Sequence, residues 1–168
     1  MNRVIIVEDD QHLSEILKKE FISRQFTAFC ATQISEIPLS ENFDFAVVDM
    51  RLANGDFGLQ ALEILKKLSP DIKVVMLSGY GSITTAVEAV KKGAVDYLTK
   101  PASFEQIYQA LMGQKISSDA DFKRRSLAEV EHEYIDFLLT KNQGNISQTA
   151  KDLGLHRQSL QRKLKKYT

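Results

Sequence analysis

The sequence predicts an α/β protein: a doubly wound, parallel, five-stranded sheet followed by a small all-α domain. Three observations carry this. Short apolar runs rich in β-branched residues alternate with helical stripes about every 20 residues, the pattern of βαβ units covered on both faces. Several of these runs stop abruptly at a charged or hydroxyl side chain. Beyond residue 126 no further strand pattern occurs. A chain of 168 residues, 43% hydrophobic and 26% charged, suits a globular protein of one or two domains.

Arg3-Val4-Ile5-Ile6-Val7 reads as the first buried strand, and Glu8-Asp9-Asp10 follows at once. Leu13, Ile16, Leu17 and Phe21 then fall at helical spacing, on a helix ending before Phe26. Phe26-Thr27-Ala28-Phe29-Cys30 is the second strand, with Cys30 expected to be a small buried residue. A short helix around Ser35 is limited by Pro38. Phe43 to Asp49 is the third strand. Its terminal carboxylate would be costly inside a sheet, so Asp49 marks the point where the chain emerges into a crevice.

Leu59, Leu62, Leu65 and Leu68 mark the next helix, stopped by Ser69-Pro70. Lys73-Val74-Val75-Met76-Leu77 is the fourth strand and ends at Ser78-Gly79. Ile83, Ala86, Val87 and Val90 form a helical stripe closed by Gly93. Ala94 to Thr99 is the fifth strand, followed by Lys100-Pro101, and Phe104 to Met112 is a last helix. The expected domain boundaries are 1–113, a polar and then basic linker over 114–125, and 126–168. In the second domain Leu127, Val130, Tyr134 and Leu138 share one helical face. Gly144-Asn145 breaks the chain, and Ser147 is expected to cap a helix from Gln148 to Leu153. After Gly154, residues 157–166 make a strongly basic helix.

Net charge is zero but unevenly placed. Residues 114–168 hold 11 Lys and Arg against 7 Asp and Glu, and residues 1–113 hold 11 against 15. A basic end on an acidic body points to a nucleic-acid or acidic partner. The single cysteine excludes an internal disulfide and favours a reducing compartment. Val4-Ile5-Ile6-Val7 is too short for a signal-peptide core, and no apolar stretch approaches the ~20 residues that cross a bilayer. The expected location is cytoplasmic, without a membrane partner.

In a parallel sheet the strand ends carrying Glu8-Asp9, Asp49, Ser78 and Lys100 emerge at one edge. Three carboxylates crowded there repel unless a cation joins them, and a hard ion with oxygen ligands and room for a phosphate describes Mg²⁺. Lys100 and Ser78 would supply a positive charge and a hydroxyl to a phosphoryl group. Asp49 could itself take that group as a nucleophile. Each part has a plainer reading: Glu8-Asp9-Asp10 as a turn and helix cap, Ser78-Gly79 as a turn, Lys100 as a solvated charge.

Val7-Glu8-Asp9, Val48-Asp49, Leu77-Ser78-Gly79 and Asp96-Tyr97-Leu98-Thr99-Lys100-Pro101 together resemble the receiver domain of two-component response regulators, over residues 1 to about 113. The resemblance implies a CheY-like (flavodoxin-like) sheet, Glu8 and Asp9 as the acidic Mg²⁺ pair, and Asp49 as phospho-acceptor. It also implies Ser78 as the hydroxyl switch residue, Tyr97 as the switch aromatic, Lys100 as the phosphate-binding lysine, and a cis Lys100-Pro101 bond. The Arg51 carbonyl is expected as a further metal ligand. Receivers usually carry Pro four residues and Gly eight residues after the acceptor. Here Ala53 stands at the first position and Gly58 lies nine after Asp49, as though one residue were inserted.

Helix, turn with Gly154, and basic helix form a helix-turn-helix pattern. Leu153, Leu155, Leu160 and Leu164 would be its buried face. His156, Arg157, Gln158, Ser159, Gln161, Arg162 and Lys163 would be its open face, with Lys165 and Lys166 toward phosphates. The alternative is a basic helix docked on the acidic first domain. The runs from Gly144 to Ala150 and from Leu160 to Tyr167 resemble the Fis-family helix-turn-helix, which implies Asn145 and Ser147 as phosphate contacts and Arg157, Ser159 and Arg162 as groove-facing. Receiver plus this domain resembles the RegA/PrrA-like redox response regulators. That implies a sensor histidine kinase as donor, double-stranded DNA as target, a homodimer on phosphorylation, and no enzymatic turnover. A haloacid-dehalogenase-type phosphatase would need a second acid where this chain has Arg51. A nucleoid-structuring protein with a degenerate receiver would not need the intact acidic set.

Overall fold

The computed structural model describes residues 2–79, 83–114 and 127–166. The expected linker therefore lies outside the described residues apart from Gln114, as do Tyr167 and the side chains of Leu127 and Val130. Five strands, β1 (Arg3–Val7), β2 (Thr27–Ala31), β3 (Phe45–Asp49), β4 (Lys73–Ser78) and β5 (Asp96–Thr99), pair in the order β2-β1-β3-β4-β5, and every pairing is parallel. Helices α1 (Gln11–Ser23), α2 (Gly58–Leu68), α3 (Ile83–Lys91) and α4 (Phe104–Leu111) connect and cover them. Strand order reverses between β1 and β3, and in such sheets the crevice beyond the carboxyl ends at that point receives ligands.

Side-chain alternation along the strands divides the core in two. Ile5, Val7, Ala46, Val48, Val74 and Met76 face α2 and α3, whereas Val4, Ile6, Phe45, Val47, Val75 and Leu77 face α1 and α4. Both faces are buried, which is why the strands read as continuous apolar runs. Cys30 departs from its expectation: β2 is an edge strand, and Cys30 is exposed, with its thiol 4.0 Å from the Ser14 carbonyl of α1.

The second domain comprises α5 (Leu127–Lys141), α6 (Ile146–Asp152) and α7 (Arg157–Lys166). One expectation is corrected. The cap of α6 is Asn145, whose Oδ1 accepts from the Gln148 N–H at 3.0 Å, so the helix starts two residues early and Ser147 lies inside it. On α5, Tyr134 is exposed, and the buried side is His132, Ile135, Asp136, Leu138 and Leu139. Ile135, Leu139, Ala150 and Leu160 continue the α2/α3 side of the core, so the second domain packs on the first, with α5 against α3.

Candidate phosphorylation site and nucleic-acid interface

β1 and β3 end side by side, so Glu8 and Asp49 emerge at the switch point of the sheet. Both are buried, at 2% and 7% exposure, while Asp9 is exposed. One carboxylate oxygen from each of Glu8, Asp9 and Asp49 lies within 4.8 Å of the others. Asp10 takes the capping role instead: its Oδ1 accepts from His12 N at 2.9 Å and Leu13 N at 3.1 Å. The turn-and-cap reading and the acidic-pair reading thus fall on different residues of one tripeptide.

Lys100 reaches across from β5. The Lys100-Pro101 bond is cis, and Lys100 Nζ donates to Glu8 Oε2 at 2.8 Å and to Asp49 Oδ2 at 3.0 Å. Burial works against the Lys100 cation, yet Asp49 and Glu8 outweigh it and hold its pKa above the ordinary value. Burial pushes the Asp49 carboxyl up, against the pull of Lys100. Burial, with Asp49 beside it, raises Glu8 to about 7. Three crowded carboxylates and one ammonium are short of positive charge. All-oxygen donors with that deficit fit a hard divalent cation such as the Mg²⁺ that receiver domains hold.

A stability consequence follows. Between its ordinary 4.5 and about 7, folded Glu8 binds a proton that the unfolded chain releases, so Glu8 costs stability as pH rises through that window. With divalent ions chelated, Glu8→Gln should be more stable than wild type at pH 8, by on the order of 3 kcal/mol. The two should converge near pH 4.5. Urea unfolding of both at several pH values measures the difference, and a pH-independent gap would refute the assignment.

Ser78 closes β4 at 3% exposure, and its hydroxyl shares a hydrogen bond with that of Tyr97 on β5. Burial raises the Tyr97 pKa, and Ser78 opposes this. The loop after Asp49 is held by its backbone: Met50 N–H donates to the Leu77 carbonyl at 2.7 Å, Gly58 N–H to the Met50 carbonyl at 2.8 Å, and Arg51 bridges Phe57 antiparallel. The extra residue is absorbed in a 3₁₀ turn over Ala53–Gly55, where Gly55 has φ +79°. Gly58 recovers close contact with the Asp49 carbonyl despite its shift in register.

In the second domain His156, Arg157, Gln158, Arg162 and Lys166 are exposed along α7, as are Asn145 and Ser147 at the start of α6. Ser159 is half-buried and accepts from Arg162 Nη2 at 3.5 Å. Lys163 pairs with Glu131 on α5. Lys165 lies, with Gln161 and Leu164, on a cleft of about 510 Å³ whose far wall includes Asp9, Leu52 and Phe57. One side of α7 thus lines a cleft shared with the first domain, and Arg157 and Arg162 are exposed.

Sequence reasoning missed three residues of α5. Asp136 pairs with Arg51, and His132 Nδ1 lies 3.4 Å from Asp136 Oδ2. Glu133 is close enough to Tyr97 to raise its pKa. The four-residue spacing of His132 and Asp136 was a visible signal of one shared face.

A parallel 2-1-3-4-5 sheet with this edge chemistry, followed by a helix-turn-helix, defines a response regulator. The chain belongs to that family: residues 4–112 match the response regulator receiver domain, and residues 126–167 match the bacterial regulatory protein, Fis family. It is 37% identical to the photosynthetic apparatus regulatory protein RegA of Cereibacter sphaeroides, covering 97% of this chain and 90% of that protein. It is 35% identical to the acid tolerance regulatory protein ActR of Rhizobium meliloti, covering 97% and 86%. A response regulator from Burkholderia pseudomallei, crystallised with a phosphorylated aspartic acid, calcium ion and citrate, aligns with TM-score 0.64 and 34% identity over 96% of this chain and 98% of that one. No helix among the described residues is long and apolar enough to cross a membrane.

Proposed function

We propose that this response regulator is a cytoplasmic transcription factor controlled by phosphorylation of Asp49. Its receiver spans 1–113, its linker 114–125 and its DNA-binding domain 126–168. The observation that carries the reading is the meeting of Glu8, Asp9, Asp49 and Lys100 at the β1/β3 edge. An Asp49 carboxylate oxygen attacks the phosphorus of a phosphohistidine on a sensor kinase; the P–N bond breaks, and the histidine leaves with a proton. The Glu8, Asp9 and Asp49 carboxylates and the Arg51 carbonyl would hold Mg²⁺. When bound, it supplies positive charge against the transferring phosphoryl oxygens. Lys100 then releases Asp49 and pairs with the phosphoryl group. Ser78 turns its hydroxyl to the same group and gives up its bond to Tyr97, which lies beside Glu133 of α5.

The output is binding of double-stranded DNA as a dimer. The exposed apolar side chains Ile83, Val87 and Val90 of α3 offer a surface for pairing, and the beryllofluoride-activated receiver of NtrC4, 30% identical with TM-score 0.59, is a dimer in solution. Pairing two small DNA-binding domains raises effective concentration without new contacts. The test is a duplex-binding titration of the full chain before and after treatment with a small phosphodonor and Mg²⁺. Tighter binding and a larger sedimenting mass after labelling are expected, and identical curves would overturn the reading.

In the same titration Arg157→Ala should cost ~1–3 kcal/mol and relax preference at one position of each half-site. Lys166→Ala should weaken all duplexes alike and reduce the slope of log affinity against log salt by ~0.9. Unchanged affinity of Arg157→Ala for every duplex would remove its groove-reading role.

A further inference from the structure

We propose that Asp136, on helix α5 of the DNA-binding domain, is a positioning residue of the phosphorylation site: it binds the Arg51 guanidinium and holds it away from Glu8, Asp9 and Asp49. The proposal rests on the reading of that site given above. The Arg51 backbone is fixed by its bridge to Phe57, and its N–H points toward Asp49 Oδ1 at 3.4 Å. What is not fixed by the main chain is the direction of a long cationic side chain, which starts two residues from Asp49. The acidic cluster and Asp136 are both within its reach, and Glu133 also lies near, since it and Arg51 both act on Tyr97.

In the structure Asp136 has won. Its carboxylate pairs with Arg51 Nη2 and is 3% exposed, a burial that demands a cation. On the same helix, one turn before Asp136, His132 Nδ1 lies 3.4 Å from Asp136 Oδ2. Lys163 of α7 is engaged with Glu131. Arg51 is a cation that pairs with the buried Asp136, and Asp136 is a group that keeps Arg51 occupied.

The consequence for the acidic cluster is electrostatic. Lys100 already spans Glu8 and Asp49. A guanidinium added to it would set two cations against three carboxylates and compete directly with a divalent ion. With Asp136 in place, the cluster keeps the charge deficit that a divalent ion fills. Coupling of this kind is reciprocal, so a divalent ion at the cluster should favour α5 docked on Arg51 by the same factor.

The experiment is a calorimetric Mg²⁺ titration of the full, unphosphorylated chain as wild type, Asp136→Asn, Asp136→Glu and the double variant Asp136→Asn/Arg51→Gln. Asp136→Asn should weaken Mg²⁺ binding about 5-fold or more. The double variant should bind Mg²⁺ more tightly than Asp136→Asn, because the competing cation is gone. Asp136→Glu, which keeps the charge, should stay close to wild type. The Mg²⁺ concentration for half-maximal phosphoryl incorporation should follow the same order. An Asp136→Asn isotherm superimposable on wild type would overturn the proposal while leaving the site reading intact. A double variant as weak as Asp136→Asn would also overturn it, since the loss would then arise from the fold and not from Arg51. A wild-type chain that binds no Mg²⁺ and takes no phosphoryl group would overturn both.

Discussion

Asp49→Asn will take up no phosphoryl group from a small phosphodonor in the presence of Mg²⁺, whereas wild type will be labelled in a base-labile form. The expectation is a complete loss because the substitution removes the nucleophile, together with a carboxylate that pairs with Lys100 and would help to hold Mg²⁺. The amide keeps the size of the carboxylate, and β3 is buried along its whole length, so the fold has no reason to change. Glu8 cannot substitute for it: burial favours its neutral carboxyl form, and Lys100 occupies its Oε2. Asp9 is exposed and is not one of the two carboxylates that Lys100 bridges. Lys100→Ala provides the contrast. It leaves the nucleophile in place but removes the ammonium that bridges Glu8 and Asp49, so some labelling should survive while its effect on DNA affinity is lost. Labelling read on a phosphate-retarding gel, with acid–base hydrolysis of the product, measures both. Full incorporation into Asp49→Asn would remove the assignment.

The strand-end residues were legible in the sequence because parallel topology turns order into proximity. Once Glu8-Asp9, Asp49, Ser78 and Lys100 were read as strand ends, the sheet had to bring them to one edge, and it does. The helices were equally legible wherever leucines repeat at helical spacing, as in α2. Cys30 was misread because burial depends on whether a strand is central or at an edge, and local pattern does not encode strand order. Ser147 was misread because Asn145 and Ser147 are both good caps, and the choice depends on where the chain leaves the Gly144 turn, at φ +80°. The Arg51–Asp136 pair was out of reach for a different reason. It joins residues 85 positions apart in two domains, and no periodicity links residues that meet only when the domains dock. The charge asymmetry between the two parts of the chain hinted at docking without naming a contact.

Gly58→Ala should destabilise the protein by about 3 kcal/mol or more, the upper range for forcing atoms into a packed interior. A Cβ built at Gly58 would lie 2.1 Å from the Asp49 carbonyl oxygen, 2.9 Å from Met50 Cα and 3.0 Å from the Asp49 carbonyl carbon. All three are backbone atoms at the end of a central strand, so no side-chain rotation relieves the clash. Either α2 must move outward, which breaks the 2.8 Å bond from Gly58 N–H to the Met50 carbonyl, or Asp49 must shift out of reach of Lys100. The substitution should therefore lower phosphoryl incorporation as well as stability. Gly55→Ala separates this packing effect from ordinary glycine strain. Its Cβ would meet nothing within 4 Å, and the cost there is the φ of +79°, about 1 kcal/mol. Urea unfolding of the two variants should rank Gly58→Ala well below Gly55→Ala, with only the former losing labelling. If Gly58→Ala unfolds within 0.5 kcal/mol of wild type, the close approach of α2 to the phospho-acceptor strand is not what holds Asp49 in place.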